Sequence, residues 1–221
     1  MEIAIIGTGN VGRALAGTFK KAGHNVTVFA RDADKTRKVA AEVGASAAGS
    51  AREAATAADV VVFAIPYGAV GEVVKSLAGA AAGKVVIDAT NPLRADYSGL
   101  ATEGGPSGAE RLATLLPDAA VAKAFNTVLA SLEADPNMYG TTLDVLFATD
   151  DDHARRILRD LISSMGFRAV DAGPLASARE LESLAWLNIK LNAAFNGNWN
   201  SSAVFLGLPA AATTESVRAA H

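Results

Sequence analysis

The chain has no cysteine. That single absence excludes disulfides, thiolate zinc sites, iron–sulfur clusters and cysteine nucleophiles. Aromatic residues are scarce, at 6% of 221 residues, which leaves little from which to build a base-stacking surface. There is no surplus of positive charge either: 20 Lys and Arg stand against 23 Asp and Glu, for a formal net charge of -3. Nothing in that balance suggests nucleic acid or an anionic membrane as partner. No apolar run reaches the roughly 20 residues that a membrane helix needs. The opening "MEIAIIG" carries neither a basic region nor a cleavage site, and a cytoplasmic protein is expected. Histidine is rare as well. His24 lies in a helix-to-strand turn, His153 at an acidic helix start, and His221 is terminal, so each reads as solvated.

What is present is half hydrophobic and strongly periodic. Residues 3–6 form a short apolar run that closes on glycine, a buried strand. Residues 10–22 are small, apolar and helical, with Gly23 as C-cap. A second strand follows at 26–29. A helix at 32–43 has Asp32 or Asp34 as N-cap and Gly44 at its end. A short helix at 50–58, a strand at 59–66, a helix at 67–78 and a strand at 84–92 continue the alternation. This spacing predicts right-handed crossovers and a parallel sheet with helices on both faces. The segment 93–108 is rich in Gly, Ser and Pro, and reads as a mobile functional loop or as disordered. Beyond it the pattern gives a helix at 109–116, strands at 120–125 and 143–149, a helix at 152–165 and a strand at 167–173.

The last element is a helix from Ala176 to about Asn198, with Leu181, Leu184, Leu187, Leu191 and Phe195 in one apolar stripe. The stripe reads as packing, against the sheet or a second subunit. Asn188, Asn192, Asn196 and Asn200 recur at i, i+4 on another face. They are either a polar wall for a ligand or partner, or helix-to-helix hydrogen bonding. The tail after Pro209 is expected to fray. The fold class is therefore α/β: a Rossmann, doubly wound, mostly parallel sheet with a small C-terminal helical extension. Residues 1–172 are expected to bind a dinucleotide, and residues 173–221 to form a helical substrate or dimerisation segment.

The motif that carries chemistry is Gly7, Gly9 and Gly12 in G-x-G-x-x-G, between a strand and a helix. Gly7 allows a tight turn, Gly9 lets the backbone approach a pyrophosphate, and Gly12 lets the helix pack closely on the strand. The helix N-terminus then offers free N–H groups to phosphate. At the end of the second strand, such sites usually place an acid that holds the adenine ribose. Here the position is Ala30, followed by Arg31, with Lys35 one turn into the next helix. Removing the acid removes repulsion of a 2′-phosphate, and the arginine supplies a charged donor fork, so NADP is preferred to NAD. The plainer alternative is a solvated Arg31 with Asp32 on the ribose. "AIPYG" (64–68) and "DATNP" (88–92) end two further strands at the same crevice, with Asn91 either contacting the nicotinamide side or simply forming a turn.

Acid–base candidates are few. "DDDH" (150–153) is better explained by helix capping than by a metal. Lys190 sits on the late helix, but position 194 is alanine, which breaks the K-x-x-x-N spacing of hydroxyacid dehydrogenases. No residue is singled out as a proton-transferring catalyst, and none as a metal ligand. A reductase whose acceptor is a flavin-like ring need only stack two rings, so positioning is most of its catalysis.

"IIGTGNVGRALA" (5–16), "FARDADK" (29–35), "ADVVVFAIP" (58–66), "VVIDATNPL" (85–93), "KAFNTV" (123–128) and above all "DAGPLASARELESLA" (171–185) resemble the NADP oxidoreductases dependent on coenzyme F-420 (F420), the 5-deazaflavin hydride carrier. The resemblance implies hydride transfer between NADP(H) and F420 in a homodimer. It implies that Thr8, Gly9, Asn10 and Val11 hold the pyrophosphate, and Arg31 and Lys35 the 2′-phosphate. It places Ala64, Ile65, Pro66, Asn91 and Pro92 on the nicotinamide side. Asn126, Thr127 and Val128, with Asn192 and Asn196 of the late helix, are then expected along the acceptor pocket. Archaeal members of the family carry histidine at the position of Asn126, and serine or threonine at that of Ala30. The alternatives are an NADPH-dependent reductase of a flavin, carbonyl or imine, and a non-catalytic NADP-binding redox sensor. An open crevice beside the nicotinamide position would favour an enzyme, and a closed one a sensor.

Overall fold

Strands β1 (Glu2–Ile6), β2 (Asn25–Phe29), β4 (Val60–Phe63) and β5 (Val85–Asp88) form where β-branched and apolar residues run unbroken. β4 is buried along its whole length, as a strand covered on both faces must be. The computed structural model describes residues 1–131, 135–195 and 197–208. Its sheet is completed by β3 (Ser46–Ala47), β6 (Ala120–Ala124), β7 (Asp144–Thr149) and β8 (Arg168–Asp171), in the order β3-β2-β1-β4-β5-β6-β7-β8. Neighbours from β3 through β6 are all parallel, β6 and β7 are antiparallel, and β7 and β8 are parallel again. The chain winds outward from β1 to β3 and then returns to place β4 on the other side of β1. That reversal opens a crevice at the carboxyl ends of β1 and β4.

Helices α1 (Asn10–Lys21), α2 (Ala33–Val43) and α6 (Asp152–Ser164) cover one face through Leu15, Phe19, Ala40, Leu158 and Ile162. Helices α3 (Ala51–Thr56), α4 (Val70–Leu77), α5 (Gly108–Leu115) and the start of α7 (Ala178–Ala194) cover the other. The caps explain the boundaries. Asp32 caps α2 by accepting from the Lys35 N–H at 2.9 Å, and Gly44 ends it in the left-handed region. Ser107 and Glu110 form a reciprocal capping box at α5. Asp151 caps α6, accepting from the Ala154 N–H at 2.7 Å, and Asp150 accepts from the Leu175 N–H. The acidic run at 150–153 is thus engaged in helix starts and turns.

Several expectations need correction. The two-residue β3 is too short to leave a periodic signature. Residues 67–69 form a 3-10 turn, not the start of α4, because Pro66 fixes the entry. The segment 93–108 is neither disordered nor formless. A bridge between Leu93 and Leu100 closes it, and Arg94 pairs with Glu103. The last helix begins at Ala178 and stops at Ala194, short of Asn198. Asn200 therefore lies outside it, and the four asparagines do not share one helical face. The tail after Pro209, with His221, and Asn196 lie outside the described residues.

Candidate functional site

The glycine loop is built by close backbone approach. A Cβ on Gly7 would stand 2.1 Å from the Ala64 carbonyl oxygen, and its φ is +123°. A Cβ on Gly12 would stand 2.1 Å from the Gly7 oxygen. These two residues clamp β1, β4 and α1 together. Gly9 is different: a Cβ there would meet nothing within 4 Å. It caps α1 without a side-chain bond, which leaves the first-turn N–H groups facing outward. Thr8 is buried beneath the loop, Val11 is half-buried, and Asn10 is exposed.

At the end of β2, Ala30 donates its N–H to Thr36 Oγ1 at 3.1 Å, fixing the turn. Arg31 projects into solvent, 83% exposed in its side chain, and its nearest acid is Glu72 at 3.9 Å. A pair so exposed is weak, so the guanidinium is open to a stronger anion. Lys35 is also exposed. Asp32, the alternative ribose ligand, has one carboxylate oxygen engaged by the α2 cap.

The next strand ends carry the other half. Ala64 follows β4, its N–H bonded to the Ile6 carbonyl, and Ile65 and Pro66 continue the turn. Asn91 and Pro92 follow β5. Asn126, Thr127 and Val128 follow β6, and Val128 is buried in the α1 core. Asn126 and Asn91 form a side-chain pair. Asn126 Nδ2 donates to Asn91 Oδ1 at 3.1 Å and to the Leu181 carbonyl of α7 at 3.1 Å, while Asn91 Nδ2 donates to the Asn126 carbonyl at 3.3 Å. Three buried polar atoms here, Asn126 Oδ1, Thr127 Oγ1 and Thr90 Oγ1, have no hydrogen-bond partner among the described residues. Orphaned polar atoms in a protein interior are costly, and a cluster of them calls for a reason.

Beside them lies a cluster that periodicity and motif reading passed over. Lys123 is 0% exposed, and its ammonium donates to Asp88 Oδ2 at 2.9 Å, Glu182 Oε1 at 3.0 Å and the Thr90 carbonyl at 2.6 Å. Burial pushes the Glu182 carboxyl up from its ordinary value, against the pull of Lys123. One signal was available. A lone lysine in the apolar strand "AVAKAF" must find counter-charges, because an unpaired ammonium is not stable in a core. Which acids would meet it was not legible, since they lie 35 and 59 positions away.

A crevice of about 1280 Å³ opens beside these strand ends. Its lining runs along α1 from Asn10 and Val11 to Lys20 and Lys21 and reaches Glu42 and Val43 of α2, and it also includes Asn91, residues 129–131, Ile189 and Trp199. The structure thus brings Asn10, Val11, Asn91 and α7 to one space. The glycines of the loop, Arg31, Lys35, residues 64–66, residues 126–128 and Asn192 do not line it. Asn192 lines a neighbouring groove, and its amide donates to Asn188 and Ser201, which pins the chain beyond α7. Lys190 is exposed, with its ammonium over the Trp186 ring. His24 sits at the amino end of β2 against Ser164, at the end of the sheet opposite the crevice. Its pKa is lowered by burial and the nearby N-terminus. The stripe on α7 divides: Leu181 is buried, whereas Leu187, Leu191 and Phe195 are exposed, Phe195 at 79%.

Comparison with known proteins adds four likenesses. Residues 2–92 match the family described as NADP oxidoreductase, coenzyme F420-dependent. The chain is 36% identical over 212 residues to the F420-dependent NADP reductase of Methanothermobacter thermautotrophicus, covering 87% of this chain and 89% of that protein. It is 32% identical over 184 residues to the metalloreductase STEAP3 of Rattus norvegicus, covering 83% of this chain but 36% of that protein. Among solved structures, a putative F420-dependent NADP reductase from Arthrobacter sp. FB24 superposes with a TM-score of 0.85 at 28% identity, covering 93% of this chain and 99% of the other.

Proposed function

The chain belongs to the coenzyme F420-dependent NADP oxidoreductases, and from that premise we propose that it transfers a hydride directly, ring to ring, between NADP(H) and the deazaflavin F420. The observation that carries this reading is the crevice of about 1280 Å³ that takes in Asn10 and Val11 at the glycine-loop helix and Asn91 after β5, with Ile189 of α7 on its wall. Both cofactors are held by this chain's own residues. Gly9 and the free N–H groups of Asn10 and Val11 form a cradle for pyrophosphate. Gly7, Thr8 and Gly12 fix that cradle to the sheet. Arg31 and Lys35 take the 2′-phosphate, and Ala64, Ile65, Pro66, Asn91 and Pro92 border the nicotinamide side. Asn126 and Thr127 each offer a buried, unengaged oxygen to an N–H or O–H of a bound ring. When bound, the two cofactors supply the hydride donor and acceptor carbons. The protein's share is orientation and exclusion of water, since the apolar crevice wall offers Leu93, Leu129, Ile189 and Trp199.

In this reading residues 1–172 form the dinucleotide-binding domain, whose residues 126–127 also face the acceptor, and the segment 173–221 is the substrate or dimerisation segment, joining two subunits in a homodimer through α7. Support for the dimer is the exposed apolar half of α7, with Leu187, Leu191 and Phe195. Sedimentation of the wild type and of Leu191→Asp tests it: a monomeric wild type would end that part of the reading.

The function is tested by mixing the protein with NADPH and oxidised F420 and following the deazaflavin's visible absorbance, with NADH in parallel. Rapid bleaching with NADPH and little with NADH is expected. Tight NADPH binding without bleaching would discard F420 as acceptor. That outcome would bring forward the second reading, reduction of a flavin or a small carbonyl or imine.

A further inference from the structure

The Lys123 cluster has no part in the chemistry proposed above. Its members do not line the crevice. They come from three elements, β5, β6 and α7, and they are sealed from solvent, with side-chain exposures of 0% for Lys123 and 1% for Asp88 and Glu182. A buried ion cluster is no better than apolar packing for stability alone. What it adds is direction, because each hydrogen bond fixes one atom against another.

The directions here converge. All three protons of the Lys123 ammonium are matched by its three acceptors. Asp88 Oδ1 also accepts from the Thr90 N–H at 2.9 Å, which sets the turn that presents Asn91. Glu182 accepts from the Gly108 N–H with both oxygens, at 2.9 and 3.2 Å, where the 93–108 segment re-enters the fold as α5. Leu181, next to Glu182, gives its carbonyl to Asn126. Between Lys123 and Asn126 stands Phe125, a buried non-glycine residue at φ +67°. That conformation is strained and persists only when its surroundings hold it. Its ring is held edge-to-face by Phe19 of α1 at 5.8 Å. Thus Asn91 and Leu181, the partners of Asn126, and Asn126 itself with its buried, unengaged Oδ1 each lie within three residues of a cluster member.

We propose that Lys123, Asp88 and Glu182 are positioning residues for the acceptor half of the site: they touch neither cofactor, and they hold Asn91, Asn126 and Thr127 so that Asn126 Oδ1 receives an N–H from the bound acceptor ring. This rests on the reading that the acceptor binds beside Asn126. The glycine loop and the 2′-phosphate contacts, carried by β1, α1 and β2, share no hydrogen bond with the cluster, and Asn91, on the nicotinamide side, links the two halves.

The variant Lys123→Met alone leaves two buried carboxylates facing each other and is expected to fold poorly. The informative protein is the triple variant Asp88→Asn, Lys123→Met, Glu182→Gln. It is neutral and close in volume, and it keeps acceptors for the Thr90 and Gly108 N–H groups. It is expected to fold and to bind NADPH within about 2-fold of wild type, while kcat with F420 falls about 10- to 100-fold, the scale of a misplacement near 1 Å. Hydrogen exchange at residues 90–94 and 108–110 is expected to speed up, with that of residues 7–13 unchanged. Wild-type kcat in the folded triple variant would overturn the proposal. If the wild type itself does not turn over F420, the acceptor reading fails separately. Exchange then decides: unchanged protection at 90–94 and 108–110 overturns the cluster's role, and faster exchange confined there sustains it.

Discussion

The two halves of the proposed site are made in different ways. The pyrophosphate cradle of the dinucleotide half is backbone: small residues, a tight turn and a helix start, all within residues 7–12. The acceptor half is side chains: an amide pair, three orphaned oxygens and a buried ion cluster, drawn from residues 88–91, 123–127 and 181–182. A backbone site fails when a side chain intrudes. A side-chain site fails when a partner is removed. Substitutions in the two halves should therefore differ in kind as well as in size.

The largest effect is expected at Gly7. Gly7→Ala forces a Cβ into the Ala64 carbonyl in a conformation that alanine avoids, and should destabilise the fold by about 3 kcal/mol or more. Gly9→Ala, two residues on, meets no protein atom and should leave the melting temperature unchanged while weakening NADPH binding. Thermal melts with and without NADPH check the pair, and equal melting losses in both would break the distinction between clamp and cradle. Next is Arg31→Ala. Loss of charged hydrogen bonds to a 2′-phosphate should lower kcat/KM for NADPH by roughly 10- to 100-fold, with little change for NADH. Parallel losses for both nucleotides would remove the phosphate contact.

A smaller change is expected in the acceptor half. Asn126→Ala removes the unengaged oxygen and the link to α7, and should raise KM for the acceptor by about 10-fold with NADPH affinity kept. Steady-state kinetics at saturating NADPH measure it. The smallest effect concerns acid stability. The Arg179 guanidinium, with help from the Ser107 cap, holds the Glu110 carboxyl down at about 2. A depressed carboxylate contributes stability that is present above its unfolded value and is lost as pH falls from about 4.5 toward 2. In acid titration the advantage of the wild type over Arg179→Met should be constant above about pH 4.5, shrink across that window and vanish near pH 2, the variant being less dependent on pH there.

The same contrast explains what could be read in advance. The alternation of strands and helices is local, so its order was legible down to most caps. So was the glycine loop, where identity and spacing carry the geometry. The late helix was read too long because its apolar stripe continues to Phe195, and Gly197, whose N–H donates back to the Asn192 carbonyl, was passed over as a stop signal. The asparagine row looked like a ligand wall, but Asn192 turns to Asn188 and Ser201, a return of the chain that no helical period announces. Lys123 was visible as an oddity in an apolar strand, though its acids were not.

By itself the sequence determined the sheet-and-helix order, the glycine loop and the placing of Ala30 and Arg31 where an acid would usually stand, because each depends on neighbours within about a dozen residues. The tertiary structure alone decided which carboxylates meet Lys123, how Asn91 and Asn126 pair, and where the crevice opens. Those contacts join residues 35 to 59 positions apart, and such distances are closed only by the sheet register and the packing of α7.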